Sequence, residues 1–415
     1  MNNGPDKQRR FGRFGRGVVV TALSVLVWPG SVVAQGTPQP ARAARAASAA
    51  RAVPAPLAIE SLTTATLEGA PAERVYVADV AISHISDGRI RVFGAADGRL
   101  LGMIPSAYAG NFTLSAGRDE LYLATTHLSR TYRGERADVL EVWDTRTLGF
   151  KHEVLLPPRR AQALPYRHLV RVTGNGRFAL VQNATPATSI TVVDLAGRKV
   201  ASEVSTPGCW GALPAATHGA RFSMLCGDGT VATVTLDEAG TAADRQSSAK
   251  LFDPDADAWF HHAEQAGDRY WFLSFKGVLT ELDLGGPKAE LKQTRPLVSA
   301  ADARSGWRPG GYQAFTVDAQ GRWLVAAMHR KGAEGTHKNP AEKLWVVDLR
   351  SGQRRAMLPG GMAIAVNFSG RGDRLHVLDA AKGGLGTWSF ADGRVKPLAY
   401  VPGAGEAASL VESHD

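Results

Sequence analysis

Val139-Leu140-Glu141-Val142-Trp143-Asp144 reads as one buried strand that stops at an aspartate, with turn residues after it. The same event recurs along the chain. Val192-Val193-Asp194, Val234-Thr235-Leu236-Asp237, Leu279-Thr280-Glu281-Leu282-Asp283 and Leu344-Trp345-Val346-Val347-Asp348 each close an apolar run with an aspartate. Ile90-Arg91-Val92-Phe93-Gly94 and Gly386-Thr387-Trp388-Ser389-Phe390 are weaker copies that bracket them. Most of these strand ends lie 42 to 50 residues apart, with one gap of 65 before Asp348. Short strands repeating at such a period are the sequence sign of a β-propeller. The predicted fold class is all-β, a seven-bladed β-propeller.

The ends of the chain read differently. Lys7, Arg9, Arg10, Arg13 and Arg16 precede the apolar run 17–28, and Val32-Val33-Ala34 offers a small-residue cleavage pattern. Residues 1–34 are therefore expected to be a secretory signal peptide, with an uncleaved signal anchor as the alternative. Arg9-Arg10 leaves Sec and twin-arginine export both open. Residues 35–56, rich in Ala, Arg and Pro, cannot form a core and are expected to be a disordered lead-in. Residues 57–415 are expected to form one propeller domain. The net charge of +9 falls mostly on the N-terminal region, leaving about +2 on the globular part. Without a dense basic cluster flanked by aromatics, that balance argues against a nucleic-acid partner.

Cys209 and Cys226 are the two cysteines, and an even count in an exported chain suggests one disulfide between neighbouring strands. No C-x-x-C-H occurs, which excludes covalent c-type haem. No P-loop, G-x-G-x-x-G after a strand, H-E-x-x-H or G-x-S-x-G appears. The repeated aspartates are expected to cap turns and not to form a catalytic pair. His261 and His262 are adjacent, so in extended chain they point oppositely and make a poor metal-binding pair. His329 and His337 are expected to be solvated histidines of a long loop, 329–343, that accounts for the wide gap. Thr125 to Asp138 is expected as a protruding loop or an extended hairpin, and Thr294 to Arg304 as a short helix or loop. Tyr108 lies in a crossing between blades, either exposed on one face or packed between blades. Glu406 to Val411 is expected to supply a closing strand.

Several long strings carry a more specific signal. They are Leu101-Gly-Met-Ile-Pro-Ser-Ala-Tyr108, Arg136-Ala-Asp-Val-Leu-Glu-Val-Trp-Asp144, Leu156-Pro-Pro-Arg159, Val181-Gln-Asn-Ala-Thr-Pro-Ala-Thr-Ser189, Gly208-Cys-Trp210 with Cys226-Gly-Asp-Gly229, Trp307-Arg-Pro-Gly-Gly311 and Glu334-Gly-Thr-His-Lys338. Through them, from about Arg74 to Leu410, the chain resembles the heavy subunits of the tryptophan tryptophylquinone amine dehydrogenases, most closely the aromatic (aralkyl) amine type. The resemblance implies an α2β2 periplasmic complex in which a small disulfide-rich light subunit carries the tryptophan tryptophylquinone. Such a complex oxidises a primary amine, here expected to be aromatic, to an aldehyde and ammonia. It passes electrons to a blue copper protein of the azurin or amicyanin kind. No catalytic residue, cofactor or metal is carried onto this chain, and no membrane insertion is expected after signal cleavage. One residue does carry over. Tyr108 matches a position where the family sends an aromatic side chain toward the substrate channel, and it departs from the family's phenylalanine by one hydroxyl. A non-enzymatic exported binding propeller and a propeller hydrolase of the lactonase kind are the alternatives.

Overall fold

The computed structural model describes residues 63–67, 73–163 and 166–415. The expected signal peptide and lead-in lie outside the described residues. The strand that decides the fold runs Arg136–Asp144 and pairs antiparallel with Glu120–Leu128 on one side and Phe150–Leu156 on the other. Ser189–Asp194, Val231–Leu236, Val278–Asp283, Ala341–Asp348, Gly88–Gly94 and Leu385–Ala391 hold the same place, third in a four-stranded antiparallel meander. The position explains the sequence pattern. A third strand is covered by neighbouring meanders along its centre, so that part is mostly apolar, with single buried polar residues such as Glu141 and Thr280. It then turns into an exposed fourth strand, such as Ala242–Ser247 or Glu290–Pro296. The aspartate serves that turn. Asp144 accepts from the N–H groups of Arg146 and Thr147, Asp237 from Ala239 and Thr241, Asp283 from Gly285, and Asp348 from Arg350. These are turn caps, as their residue type and place predict.

Three meanders are separate four-stranded sheets, and two larger sheets each join two meanders through one long strand. Leu100–Leu114 is one such strand. Its first part pairs with Gly88–Gly94 and its second part with Glu120–Leu128. Gln353–Phe368 does the same between Ala341–Asp348 and Arg374–Asp379. Each changes sheet at left-handed residues, Ala107 and Ala109 in the first and Met362 in the second. Neighbouring meanders share hydrophobic clusters. Leu180 and Ile190 pack with Phe222 and Val234, and Leu273 packs with Phe315 and Trp345. The first and last parts of the chain share one too, with Val75, Val77 and Val411 against Ala365, Leu378 and Leu385. Among the described residues no helix is long and apolar enough to cross a membrane.

The connections follow the sequence reading in part. The polar stretch 125–138 is an extended hairpin whose strands run to Leu128 and from Arg136. Thr294 to Arg304 divides between the strand Glu290–Pro296 and a short helix, Ala300–Arg304, started by a Ser299/Asp302 capping box. The long inserted loop is shorter than expected, because Trp323–His329 and Ala341–Asp348 both extend into it. His329 is consequently not a solvated loop residue. It is buried, its Nδ1 is hydrogen-bonded to the Arg330 carbonyl at 2.9 Å, and its ring lies against Gly310, where a Cβ would sit 2.7 Å from it.

Ala408–Ser413 pairs with Arg74–Asp79, so the last strand of the chain completes the sheet that the first one begins. Asp79 fastens this pairing. Its buried carboxylate accepts from the N–H groups of Ala81, Glu406 and Ala407 and from Arg91 at 2.7 Å. Burial pushes its pKa up, but the three N–H groups and Arg91 outweigh burial and hold the carboxyl below its usual range. Asp79→Ala strands the partly buried Arg91 and three main-chain donors, and should lower the unfolding free energy by about 3 kcal/mol. Asp97→Ala, which removes an exposed turn cap on the Arg99 N–H, should cost under about 1 kcal/mol. Denaturant titration of both variants checks this, and equal losses would show that the junction of the two chain ends is no special fastening.

Candidate functional site

The crossing Ser106-Ala107-Tyr108-Ala109-Gly110 is shaped by its main chain. Ala107 and Ala109 adopt φ of 44° and 49°, so Tyr108 stands between two left-handed residues. That region is costly for L-residues by roughly 1–2 kcal/mol each and tolerates alanine better than bulkier side chains. Gly110 is required by close approach, since a Cβ there would lie 2.5 Å from the Ser106 carbonyl oxygen. Tyr108 pairs opposite Thr126 and is half-buried, between the two placements the sequence left open.

A buried ionic network holds this crossing in place. Arg160 donates from Nη2 to the Tyr108 carbonyl at 2.9 Å and from Nη1 to the Ala109 carbonyl at 2.8 Å. It also donates to Thr126 Oγ1 at 2.8 Å. Asp138 supplies the counter-charge. It accepts from Arg136 at 2.8 and 2.6 Å, from the Thr126 hydroxyl at 2.7 Å and from the Arg160 N–H at 3.1 Å. Burial draws the Arg160 guanidinium down to about 10, which still leaves it charged at neutral pH. The strings that contain Tyr108 and Asp138 thus meet here, joined by Arg160, which follows a third.

The network continues to a cavity of 680 Å³ lined by Tyr166, Trp259, Phe260, His261, Tyr312 and Lys338, among others. Asn111 makes the link, donating to the Ala109 carbonyl at 3.0 Å and accepting from the Tyr166 N–H at 3.2 Å. The Tyr166 ring meets His261 edge-on at 5.4 Å, and Trp210 lies 6.1 Å from the same imidazole. Lys338 sits 5.6 Å over the Tyr312 ring. Burial pushes His261 down to about 4, helped by His262, so its imidazole is neutral at neutral pH. Its Nε2 is buried without a partner. Cys209 and Cys226 lie directly opposite on adjacent strands and form the expected disulfide, which pins the strand carrying Trp210. Gly311 and the segment 334–338 line the same cavity, so two further strings that carry the resemblance meet here.

His261 and His262 diverge as predicted. The first faces Tyr166 and Trp210, and the second bonds the Phe315 carbonyl at 2.9 Å and Glu264 at 2.8 Å. Among the described residues no group of His, Cys, Asp or Glu is placed to hold a metal ion. One feature was invisible in the sequence. Arg167 donates to Glu264 at 2.7 Å, Glu412 at 2.9 Å and Asn367 at 2.7 Å. Its partners are 97 to 245 residues away, so no local pattern announces them. Burial pushes the Glu264 carboxyl up, but Arg167 and His262 outweigh it and hold it below the usual range.

If Arg160 positions the Tyr108 main chain, its loss must be severe. Arg160→Met leaves Asp138 with less counter-charge and takes a donor from each of the Tyr108 and Ala109 carbonyls, the second keeping Asn111, and should destabilise the chain by about 3–5 kcal/mol. Arg159→Met removes only a surface pair with Glu203 and should cost under about 1 kcal/mol. Thermal and denaturant unfolding of the two neighbours gives the comparison.

The chain was compared with known proteins. It is 24% identical to the methylamine dehydrogenase heavy chain of Methylophilus methylotrophus, over 82% of this chain and 83% of that one. It is 28% identical to that of Methylorubrum extorquens, over 69% and 70%. A β-propeller domain from Myceliophteria thermophila superposes with a TM-score of 0.53 at 11% identity, covering 80% of this chain and 98% of that one. A protein of Bacteroides uniformis assigned as a 6-phosphogluconolactonase superposes with a TM-score of 0.57 at 12% identity, covering 82% and 98%. At that identity these structures speak to the propeller-like fold alone. The family model for the methylamine dehydrogenase heavy chain matches residues 71–387, and the chain belongs to that family.

Proposed function

We propose that this chain is the heavy, non-cofactor-bearing subunit of a periplasmic quinoprotein amine dehydrogenase. The observation that carries the reading is that the family match over 71–387 includes both the Tyr108 crossing and the aromatic cavity. In this reading the meanders close as a seven-bladed propeller, with the Arg74–Asp79 and Ala408–Ser413 pairing as the closure. A separate light subunit, bearing tryptophan tryptophylquinone, docks on the face that presents Tyr108. The hairpin tip 129–135 belongs to the contact, and Tyr132 stands there 69% exposed. An exposed tyrosine backed by Arg133 at 5.5 Å is the side-chain type that interfaces favour.

The complex converts a primary amine and water to an aldehyde and ammonia, releasing two electrons and two protons. A quinone borne by the partner would supply that two-electron oxidation, with a blue copper protein as the final acceptor. This chain's residues bind and orient. Tyr108 frames the channel, and Arg160 and Asp138 hold its main chain at a fixed depth. The rings of Tyr166, Trp259 and Phe260, with a neutral His261, give a wall suited to an aromatic amine. The Tyr108 hydroxyl narrows the channel and needs a hydrogen-bond partner wherever it is buried. Export by the N-terminal signal sequence delivers the chain to the compartment where the disulfide forms.

The direct test is purification of the chain from its own host after growth on amines. A small disulfide-rich partner should co-purify, with quinone absorbance that bleaches on adding an aromatic amine. A colourless chain that elutes alone would overturn the heavy-subunit reading. Within an assembled complex, Tyr108→Ala should shift relative kcat/KM between small and aromatic amines by about tenfold, the scale of one or two kcal/mol of pocket contact. Assembly should be unaffected. Unchanged selectivity across an amine panel would remove Tyr108 from the channel.

A further inference from the structure

Tyr166 faces the aromatic cavity, and the next residue, Arg167, lines a different one. This second cavity, of 370 Å³, is bounded by Arg118, Arg167, Arg171, Gln265 and Glu412 and by main chain at 173–174 and 214–216. It has room for on the order of ten water molecules. Arg167 is fully engaged by Glu264, Glu412 and Asn367. Arg171 is not. Its Nη2 donates to the neutral Gln265 Oε1 at 2.6 Å, and its Nε is buried with no partner at all. Neither Arg171 nor Arg118 forms an ion pair with the described residues. Three guanidinium groups therefore stand against two carboxylates, Glu264 and Glu412. Asp268, next to the lining residue Gly267, is bound by the N–H groups of Ala216 and Thr217. Burial draws the Arg171 guanidinium below its ordinary range, and Arg167 and Arg118 add to that.

Arg171 is half-buried, but its Nε is wholly buried, and a buried idle donor is expensive unless something accepts from it. An anion with at least two oxygens meets that need, because the arginine fork matches such groups and Arg118 supplies a second charge. We propose that this cavity is a binding site for a small oxyanion of the phosphate or carboxylate class, held by Arg171 and Arg118.

The test is calorimetric titration of the native assembly with sodium phosphate, sodium succinate and sodium chloride at one ionic strength and neutral pH. One saturable site per chain is expected for phosphate or succinate and none for chloride. The tighter of the two ligands identifies which class the cavity takes. Arg118→Gln, at the half-exposed edge, should weaken that ligand at least tenfold while the ligand-free unfolding temperature stays in place. The ligand-dependent rise in unfolding temperature should vanish with it. Arg394→Gln, on an exposed strand, controls for general charge loss. Absence of a saturable site, or an equal loss in both variants, would overturn the proposal. Arg171→Gln should abolish binding, and Arg118→Gln decides the matter if that buried replacement fails to fold.

Discussion

The strand Arg74–Asp79 has a neighbour on one side only because Ala408–Ser413 comes back to it. Without that return, a wholly buried apolar strand would present a row of unpaired N–H and C=O groups. The constraint explains the density of interactions at the join. Asp79 collects three main-chain donors and Arg91, and the Tyr76 hydroxyl meets His414 Nδ1 at 2.9 Å. Asp415 accepts from the N–H groups of Gly370 and Arg371, reaching from the last residue into the neighbouring meander. Side chains from both termini thus do what a covalent connection does elsewhere in the chain.

What the sequence made legible was local. The third strands could be found because each carries a mostly apolar, mostly buried run, and because Asp144, Asp237 or Asp348 serves N–H groups two to four residues away. The cysteines were legible as a neighbouring-strand pair for the same reason, with one hairpin between them. What was illegible was long-range. Nothing near Arg160 in the sequence says that its guanidinium reaches the Tyr108 and Ala109 carbonyls, which are 52 and 51 residues away. His329 shows the limit from the other side. Its polar neighbours suggested a solvated loop, but the strand Trp323–His329 is buried to its last residue.

The site repeats this division. Tyr108 was singled out by resemblance, and its half-buried place follows from main-chain geometry more than from the tyrosine itself. Two left-handed alanines and the close contact at Gly110 decide where any side chain at 108 must stand. Arg160 then fixes the carbonyls on either side of the bend. A replacement of the aromatic ring at this position changes what it touches without changing where it is held. In the proposed reading, that separation would let substrate selectivity vary while the scaffold remains constant.

The arginines lead to a related point about charge. In the sequence the basic excess belongs mainly to the N-terminal region, and the globular part looked electrostatically unremarkable. Net charge conceals placement. Arg160 and Arg167 are both largely enclosed; Arg160 donates from Nη1 and Nη2 to main-chain carbonyls and Thr126 while its Nε has no partner, and Arg167 donates to two glutamates and an asparagine. Burying such groups costs several kcal/mol apiece unless each donor is used. The chain meets that requirement at Arg167, where Nε, Nη1 and Nη2 each donate to a side chain from a different inner strand. It does not meet it at Arg171, one turn of chain further on, where Nε is idle. An idle Nε occurs at Arg160 too, but at Arg171 it comes with no ion-pair partner among the described residues and with a cavity beside it. That combination, and not the idle donor alone, separates the Arg167 fastening from the anion site proposed at Arg171.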